Sequence, residues 1–182
     1  MHRLVAFGCS NTYGEALENP QEQAWPSVLA EMLNYECVNL SYPGSSPRYV
    51  IYKMQKFNFR KTDIVVVLWP EVSRYCCIQE DDSVKHIGIW YYSKDKTTKN
   101  LYEEMFTKKH AECDFDLFDS YAKMLFKNKN IKYFDYVGPY FWLDKKKYKM
   151  ELLDYGSDGR HPGVKSHKNF AQYVYKNIKD NQ

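Results

Sequence analysis

The chain has 182 residues, enough for one domain with a full hydrophobic core and too few for two domains of ordinary size. Its composition, 44% hydrophobic and 27% charged, excludes a disordered or fibrous protein. The 26 basic and 23 acidic residues leave a net charge of +3, which is too small to indicate a nucleic-acid partner by itself.

The apolar segments are short. The longest uninterrupted run is Ile64–Trp69, whereas a membrane-spanning helix needs about 20 apolar residues. Leu4–Phe7 before Gly8-Cys9 is also shorter than the apolar stretch of about 7 to 15 residues in an export signal. We therefore expect a cytoplasmic protein without a membrane span.

Cysteine and histidine spacing argues against a metal site. Five cysteines without a CxxC pair fit neither a disulfide framework nor a zinc ribbon, and they are predicted to be reduced and mostly buried. His2, His86 and His110 have no carboxylate or cysteine partner at ligand spacing. The sequence therefore predicts no metal.

Apolar strands and amphipathic helices alternate along the first half of the chain. Leu4–Phe7 predicts a buried strand, followed by a helix from Pro26 to about Asn34 and a second strand at Cys37–Leu40. The turn formers of Tyr42–Pro47 then lead into a stretch of helical period. Ile64–Leu68, which is β-branched and apolar on both faces, predicts a central strand of a parallel sheet.

The second half continues the alternation after a polar interruption. Residues 79–114 are interpreted as a lid or insertion, with an added strand or hairpin between Gln79 and Thr98. Helices are predicted at Leu101–Lys109 and Phe115–Phe126, and a fourth strand at Ile131–Phe134. The last helix places one apolar face on the sheet, formed by His167, Phe170, Ala171, Val174 and Ile178.

This order predicts a single α/β domain over residues 1–182, with three α/β/α layers around a parallel sheet of about five strands. His167, on the apolar face of the last helix, is interpreted as a packed core histidine. Ligands bind beyond the carboxyl ends of the strands in such sheets. Four loops are expected there: Gly8–Gly14, Tyr42–Pro47, Trp69–Arg74 and Gly156–His161.

Ser10 and the pair Asp158 and His161 are the candidates for chemistry. Ser10 follows a buried strand, which presents its hydroxyl at the sheet edge beside free backbone N–H groups. Asp158, three residues before His161, can hold one imidazole nitrogen while the other faces outward, as a serine nucleophile requires. Helix capping explains either motif equally well when each is taken alone.

Taken together, these motifs resemble the SGNH or GDSL hydrolase family. The first block is Gly8–Thr12, the second is Gly44 within Ser41–Ser46, and the last is Asp158–Pro162. They lie in the family's order across nearly the whole chain. The resemblance implies a flavodoxin-like fold and a serine esterase that hydrolyses a carboxylic ester through an acyl-enzyme, without a cofactor.

The resemblance also implies roles for individual residues. Ser10 is the expected nucleophile, His161 the general base and acid, and Asp158 the orienting carboxylate. The backbone N–H groups of Ser10 and Gly44 are expected to form the oxyanion hole. Glycine at position 44 is explained by a backbone amide that must approach the substrate without a Cβ in the way.

The sequence departs from the family at two places. Cys9 stands where the family usually has an aspartate, and Leu68–Arg74 lacks the asparagine that donates to the oxyanion. Losing one such donor costs about 10²- to 10³-fold in rate. Asn11, Ser73 and Arg74 are the candidates to replace it; together with Trp69 they are the predicted substrate contacts.

The aromatic content, 17% with 17 tyrosines, predicts rings that line a cleft suited to a sugar or an acyl chain. The candidates are Trp69, Trp90, Tyr91, Tyr92 and Trp142, and core packing is the equal alternative for Trp69. A small-molecule or glycan ester is the expected substrate, with a slight preference for an O-acetyl group on a glycan. The alternatives are a non-catalytic ligand- or carbohydrate-binding module on the same scaffold and, less favoured, a nucleic-acid binder that uses Lys145–Lys149.

Overall fold

The computed structural model describes residues 2–181, which form a parallel sheet covered on both faces by helices. The sheet contains β1 (Arg3–Phe7), β2 (Glu36–Asn39), β3 (Ile64–Trp69) and β6 (Lys132–Val137), in the spatial order β2-β1-β3-β6. All of its neighbouring strands are parallel. Two further strands, β4 (Tyr75–Ile78) and β5 (Val84–Ile87), form a separate antiparallel hairpin.

Helices follow the strands in the alternation that the sequence predicts. The described residues form seven α-helices: α1 (Ser10–Tyr13), α2 (Pro20–Gln23), α3 (Trp25–Leu33), α4 (Pro47–Lys56), α5 (Lys96–Asn100), α6 (Lys108–Lys129) and α7 (Val164–Asp180). No helix within residues 2–181 combines the length and the apolar character needed to cross a membrane.

The sheet has two apolar faces because neighbouring side chains of a strand point to opposite sides. Val65, Val67 and Trp69 of β3 join the core formed with α4 and α6. Ile64, Val66 and Leu68 join the core formed with α3 and α7. Every residue of β1 and β3 is buried. The predicted three-layer α/β/α architecture is therefore confirmed.

The sheet has four strands rather than about five. The segment around Lys149 lies beside β6, where Val137 N donates to Tyr148 O at 3.1 Å and Met150 N donates to Val137 O at 3.0 Å. Pairing stops at this single bridge. The preceding segment is charged, and Lys147 forms ion pairs with Asp119, at 3.0 Å, and with Asp135.

The predicted helix Leu101–Lys109 is wrong as a single element. A π-helical turn covers Leu101–Met105, and α6 begins afresh at Lys108, because the Thr107 side chain accepts a hydrogen bond from His110 N at 3.1 Å. A side chain that caps the first turn in this way starts a helix. The cysteine prediction is also wrong in part, since three of the five thiols are exposed: Cys37, Cys77 and Cys113.

Residues 79–114, predicted to be a lid or insertion, lie outside the parallel sheet. The predicted added strand is present there as β5, which pairs with β4 just before the segment, and it is followed by a 3-10 turn at Ile89–Tyr91 and by α5. The assignment of this segment as a lid, and of residues 1–182 as one domain, stays a prediction.

Candidate active site

The first loop turns sharply at the end of β1. A Cβ at Gly8 would lie 2.0 Å from Thr12 Oγ1 and 2.9 Å from Leu68 O, so only glycine lets α1 fold back over the end of β3. Ser10 therefore begins a helix at the carboxyl edge of the sheet, where its side chain is only 4% exposed.

The last loop holds Asp158 and His161 together. Asp158 Oδ1 accepts hydrogen bonds from Arg160 N and His161 N, both at 2.9 Å, and Oδ2 lies 2.5 Å from His161 Nδ1. These contacts, first the His161 backbone N–H and then its ring, hold the pKa of Asp158 well below its usual value. The predicted carboxylate–imidazole pair is present, and its carboxylate stays ionised at neutral pH.

Contacts between loops bring the two ends of the chain together. The backbone N–H and the hydroxyl of Ser157 both donate to Ala16 O, at 2.9 and 3.2 Å. The Tyr140 hydroxyl donates to Arg160 O. His161 and Ser10 consequently line the same cavity.

The cavity has a volume of about 790 Å³ and is bordered by loops at the carboxyl edge of the sheet and by residues of segment 79–114. Its lining consists of Ser10, Glu15, Tyr42, Pro43, Gly44, Arg74, Lys85, His86, Trp90, Tyr91, Asp95, Thr98, Arg160 and His161.

Ser10 and His161 share this cavity without a hydrogen bond between their side chains. Within residues 2–181, the Ser10 hydroxyl contacts Cys9 Sγ at 3.9 Å, and His161 Nε2 lies 3.7 Å from Glu15 Oε2. The imidazole is therefore held between two carboxylates. Catalytic hydrogen bonds are often long or poorly aligned before substrate binds.

Two backbone N–H groups are free to bind an oxyanion. In the part of the chain that the structure describes, neither Ser10 N nor Gly44 N donates a hydrogen bond. Gly44 has a φ of +76°, which lies in the left-handed region that favours glycine. A Cβ there would meet Trp90 at an ordinary 3.5 Å. The close approach of its amide to a substrate stays a prediction.

Of the four predicted substrate contacts, Arg74 alone lines the cavity. Trp69 is fully buried on the α6 side, where it packs against Phe115. Asn11 lies in α1 and is 4% exposed, as Ser10 is, and the backbone carbonyl of Ser73 accepts a hydrogen bond from Tyr102 at 2.6 Å. Trp69 and Asn11 are not among the lining residues, and contact of either with a substrate stays a prediction. Ser73 is not among the lining residues.

Aromatic side chains form part of the cavity wall. Trp90 and Tyr91, which are 40% and 43% exposed, come from segment 79–114. Tyr42 stacks on His86, with ring centroids 5.0 Å apart. Tyr92 and Trp142 are not among the lining residues. Core packing is thus the correct alternative for Trp69, and Trp90 and Tyr91 take the predicted place at the cleft.

The sequence interpretation missed Glu15, Lys85, His86 and Arg160. Each lies near a recognised motif or in segment 79–114, and no local pattern marks any of them as a cavity residue. Only packing between loops that are distant in sequence places these side chains around Ser10.

Two further residues considered in the sequence analysis, His167 and Lys147, lie away from the cavity and make contacts within the fold. His167 is fully buried, its Nδ1 accepts a hydrogen bond from Trp25 N at 3.0 Å, and burial lowers its pKa to about 4, so the predicted core histidine is confirmed. Lys147 of the basic run is almost buried between two aspartates. Within residues 2–181, no three His, Cys, Asp or Glu side chains are grouped to hold a metal ion.

No family model and no curated protein matches the sequence. Solved structures do match the fold. An acetyl xylan esterase, Est2A, from the rumen bacterium Butyrivibrio proteoclasticus superposes with a TM-score of 0.61 at 13% identity, over 99% of this chain and 64% of that chain.

Two further structures give similar agreement. A carbohydrate esterase, described as having divergent catalytic and non-catalytic binding functions, has a TM-score of 0.65 at 11% identity, over 98% of this chain and 65% of its own. TesA has a TM-score of 0.55 at 12% identity, over 98% of both chains. This chain thus spans slightly less than two thirds of the two carbohydrate esterases and nearly all of TesA. Identities this low establish the fold alone: the chain has the SGNH/GDSL hydrolase fold that its motifs predict.

Proposed function

We propose that this protein is a serine esterase that hydrolyses a carboxylic ester. The observation that carries the proposal is that Ser10 and the hydrogen-bonded pair Asp158 and His161 line one cavity. Two free backbone N–H groups, those of Ser10 and Gly44, are available beside it. A nucleophile, an oriented base and oxyanion donors are the parts that acyl transfer requires.

The reaction has two stages. Ser10 Oγ bonds to the ester carbonyl carbon while its proton passes to His161 Nε2, and the Ser10 and Gly44 N–H groups stabilise the oxyanion. The leaving alcohol departs with the proton from His161, which leaves an acyl-enzyme. Water then attacks the acyl carbon and gives a proton to His161. The carboxylic acid is released, and the proton returns to Ser10.

The finer proposal is that the ester is an O-acetyl group on a glycan. Trp90 and Tyr91 offer exposed rings on the cavity wall, and flat aromatic faces suit the apolar face of a sugar. Two structural neighbours are described as an acetyl xylan esterase and a carbohydrate esterase, which supports the same substrate class by fold analogy only.

Labelling with a fluorophosphonate probe tests the nucleophile. We expect mass spectrometry to find the label on Ser10, and we expect Ser10→Ala to lose both labelling and hydrolysis of an acetyl ester. Ser73→Ala is the matched control, because Ser73 lies in a neighbouring loop but does not line the cavity, and it should label normally. Unchanged ester turnover by a folded Ser10→Ala variant would falsify the proposal.

A non-catalytic binding module is the second candidate. It is favoured by the resting contacts, because His161 faces Glu15 and the Ser10 hydroxyl faces Cys9. The absence of an asparagine from Leu68–Arg74 points the same way. A folded protein that binds acetylated sugars but neither labels nor hydrolyses them would establish this alternative.

A further inference from the structure

The segment after β3 brings a cationic side chain to the cavity. Arg74 lines the cavity, and its guanidinium lies over the Trp90 ring at 5.4 Å from the centroid. Its Nη1 is buried and has no hydrogen-bond partner among the described residues. A buried guanidinium N–H without an acceptor is costly, so the protein leaves bonding capacity here for another group.

The carboxylates of the cavity do not neutralise Arg74. Asp95 Oδ2 accepts hydrogen bonds from Thr98 N and Oγ1 at 2.9 and 2.6 Å, which caps α5. Glu15 faces His161. Within residues 2–181, Arg74 makes no ion pair with either one.

Glu71 is the acidic residue that acts electrostatically on Arg74 from outside the cavity lining. Burial raises the pKa of Glu71 to about 7, against the opposing influence of Arg74 and Lys149, so this group is only partly ionised at neutral pH. Its Oε1 is buried without a hydrogen-bond partner. Burial therefore opposes the Glu71 charge, which is the acidic charge acting on Arg74 from outside the lining.

Two more cations line the same cavity. The side chains of Lys85 and Arg160 make no ion pair or hydrogen bond within the described chain. Lys85 acts electrostatically on the Asp95 carboxylate. With Arg74 the lining carries three cations against two carboxylates, Glu15 and Asp95, so its excess charge is positive.

We propose that the ester substrate carries a negatively charged oxygen group, a carboxylate or a phosphate, which binds to Arg74 with Lys85 and Arg160 nearby. This inference rests on the proposed esterase function and names its substrate class. A guanidinium presents parallel N–H donors that match both groups, and the Trp90 ring beneath it limits the orientations it can take.

Matched acetate esters test the inference. Hydrolysis is compared for a mono-O-acetyl methyl glucoside, for the corresponding methyl glucuronide and for the 6-phosphate, with the acetyl group at the same position. We expect kcat/KM for at least one charged ester to exceed that of the neutral ester about tenfold or more at low salt. Added salt should reduce the ratio of kcat/KM for the charged ester to kcat/KM for the neutral ester. Whether the glucuronide or the 6-phosphate has the higher kcat/KM distinguishes a carboxylate from a phosphate.

Arg74→Met should lower the ratio of kcat/KM for the charged ester to that for the neutral ester to about one. Arg74→Lys should retain part of the preference for the charged ester. Arg48→Met is the matched control: Arg48 also lies over an aromatic ring, that of Phe118 at 5.6 Å, but it does not line this cavity. Arg48→Met should keep the full preference. Equal kcat/KM for all three esters, with hydrolysis intact, overturns the inference and leaves the esterase proposal standing.

Binding separates the two proposals if none of the esters is hydrolysed. Calorimetry then compares ester-free methyl glucuronide, glucose 6-phosphate and methyl glucoside. Tighter binding of a charged sugar that Arg74→Met abolishes supports the anion site although the esterase proposal has failed. Indifference to charge overturns the inference.

Discussion

Two histidines six residues apart differ in almost every physical respect. His161 lies at the cavity between the carboxylates of Asp158 and Glu15. His167 lies in the core against Trp25, fully buried, with its pKa lowered to about 4. The His161 ring lines the cavity, and the His167 ring accepts a hydrogen bond from a backbone N–H. The difference shows that the surroundings of a histidine, and not the residue type, determine its burial, its hydrogen-bond partners and its pKa.

Replacing His161 should give the largest functional effect. We expect His161→Ala to lower kcat for an acetyl ester by about 10⁴- to 10⁶-fold, because His161 is the proposed base and Asp158 holds its ring in the cavity that Ser10 lines. His167→Asn is the matched control and should keep most of the wild-type rate at pH 8. Comparable losses in the two variants would contradict the division of roles.

Asp158→Asn should have the next largest effect. The amide keeps the shape but cannot hold the charged imidazole or the tautomer that exposes a basic Nε2, so kcat should fall by about 10⁴-fold. Unfolding in urea should change little, because the loop is largely exposed. A rate within tenfold of wild type would show that Asp158 only shapes the loop.

His167 should instead control stability at mildly acidic pH. Its pKa is about 4 in the folded protein, against an ordinary value of 6.5, so the unfolded chain binds the extra proton between these limits. The stability that comes from keeping this ring neutral is complete above pH 6.5 and is lost as pH falls toward 4, on the order of 3 kcal/mol. Urea unfolding at pH 8, 6 and 4.5 should show a smaller loss for His167→Asn than for wild type. Identical losses would be evidence against a neutral buried His167.

Glu15→Gln should have the smallest effect. It tests the contact between the Glu15 carboxylate and His161 Nε2. The Glu15 side chain is 45% exposed and 3.7 Å from His161 Nε2, so solvent screens its charge. We expect kcat to fall by no more than about threefold at low salt, with the difference shrinking as salt rises. A loss above tenfold would place Glu15 among the groups that the reaction requires.

Much of the fold follows from local pattern. The continuous apolar runs of β1 and β3 predict buried parallel strands, and the spacing of apolar residues in α7 predicts its buried face. The Asp158 and His161 contact was also predictable, because three residues across a turn bring the side chains together without help from the rest of the chain.

The errors have a common physical origin. Trp69 ends a strand whose alternation points it into the core with Val65 and Val67, so its position at the sheet edge did not make it a cavity residue. Among the described residues, the segment beside β6 adds a single bridge, Val137 to Lys149, to the four-stranded sheet. The burial of Trp69 and the pairing beside β6 both depend on the tertiary structure, which determines the neighbours of each side chain.

The sequence by itself determined the layers, the order of the blocks and the local geometry of Asp158 and His161, because these depend on periodicity and on contacts within a few residues. Only the tertiary structure decided that Ser157 binds to Ala16, that Glu15 lies against His161, and that Arg74 reaches the cavity beside Trp90. Those contacts join segments distant in the chain, and their formation depends on how loops pack after the sheet has formed.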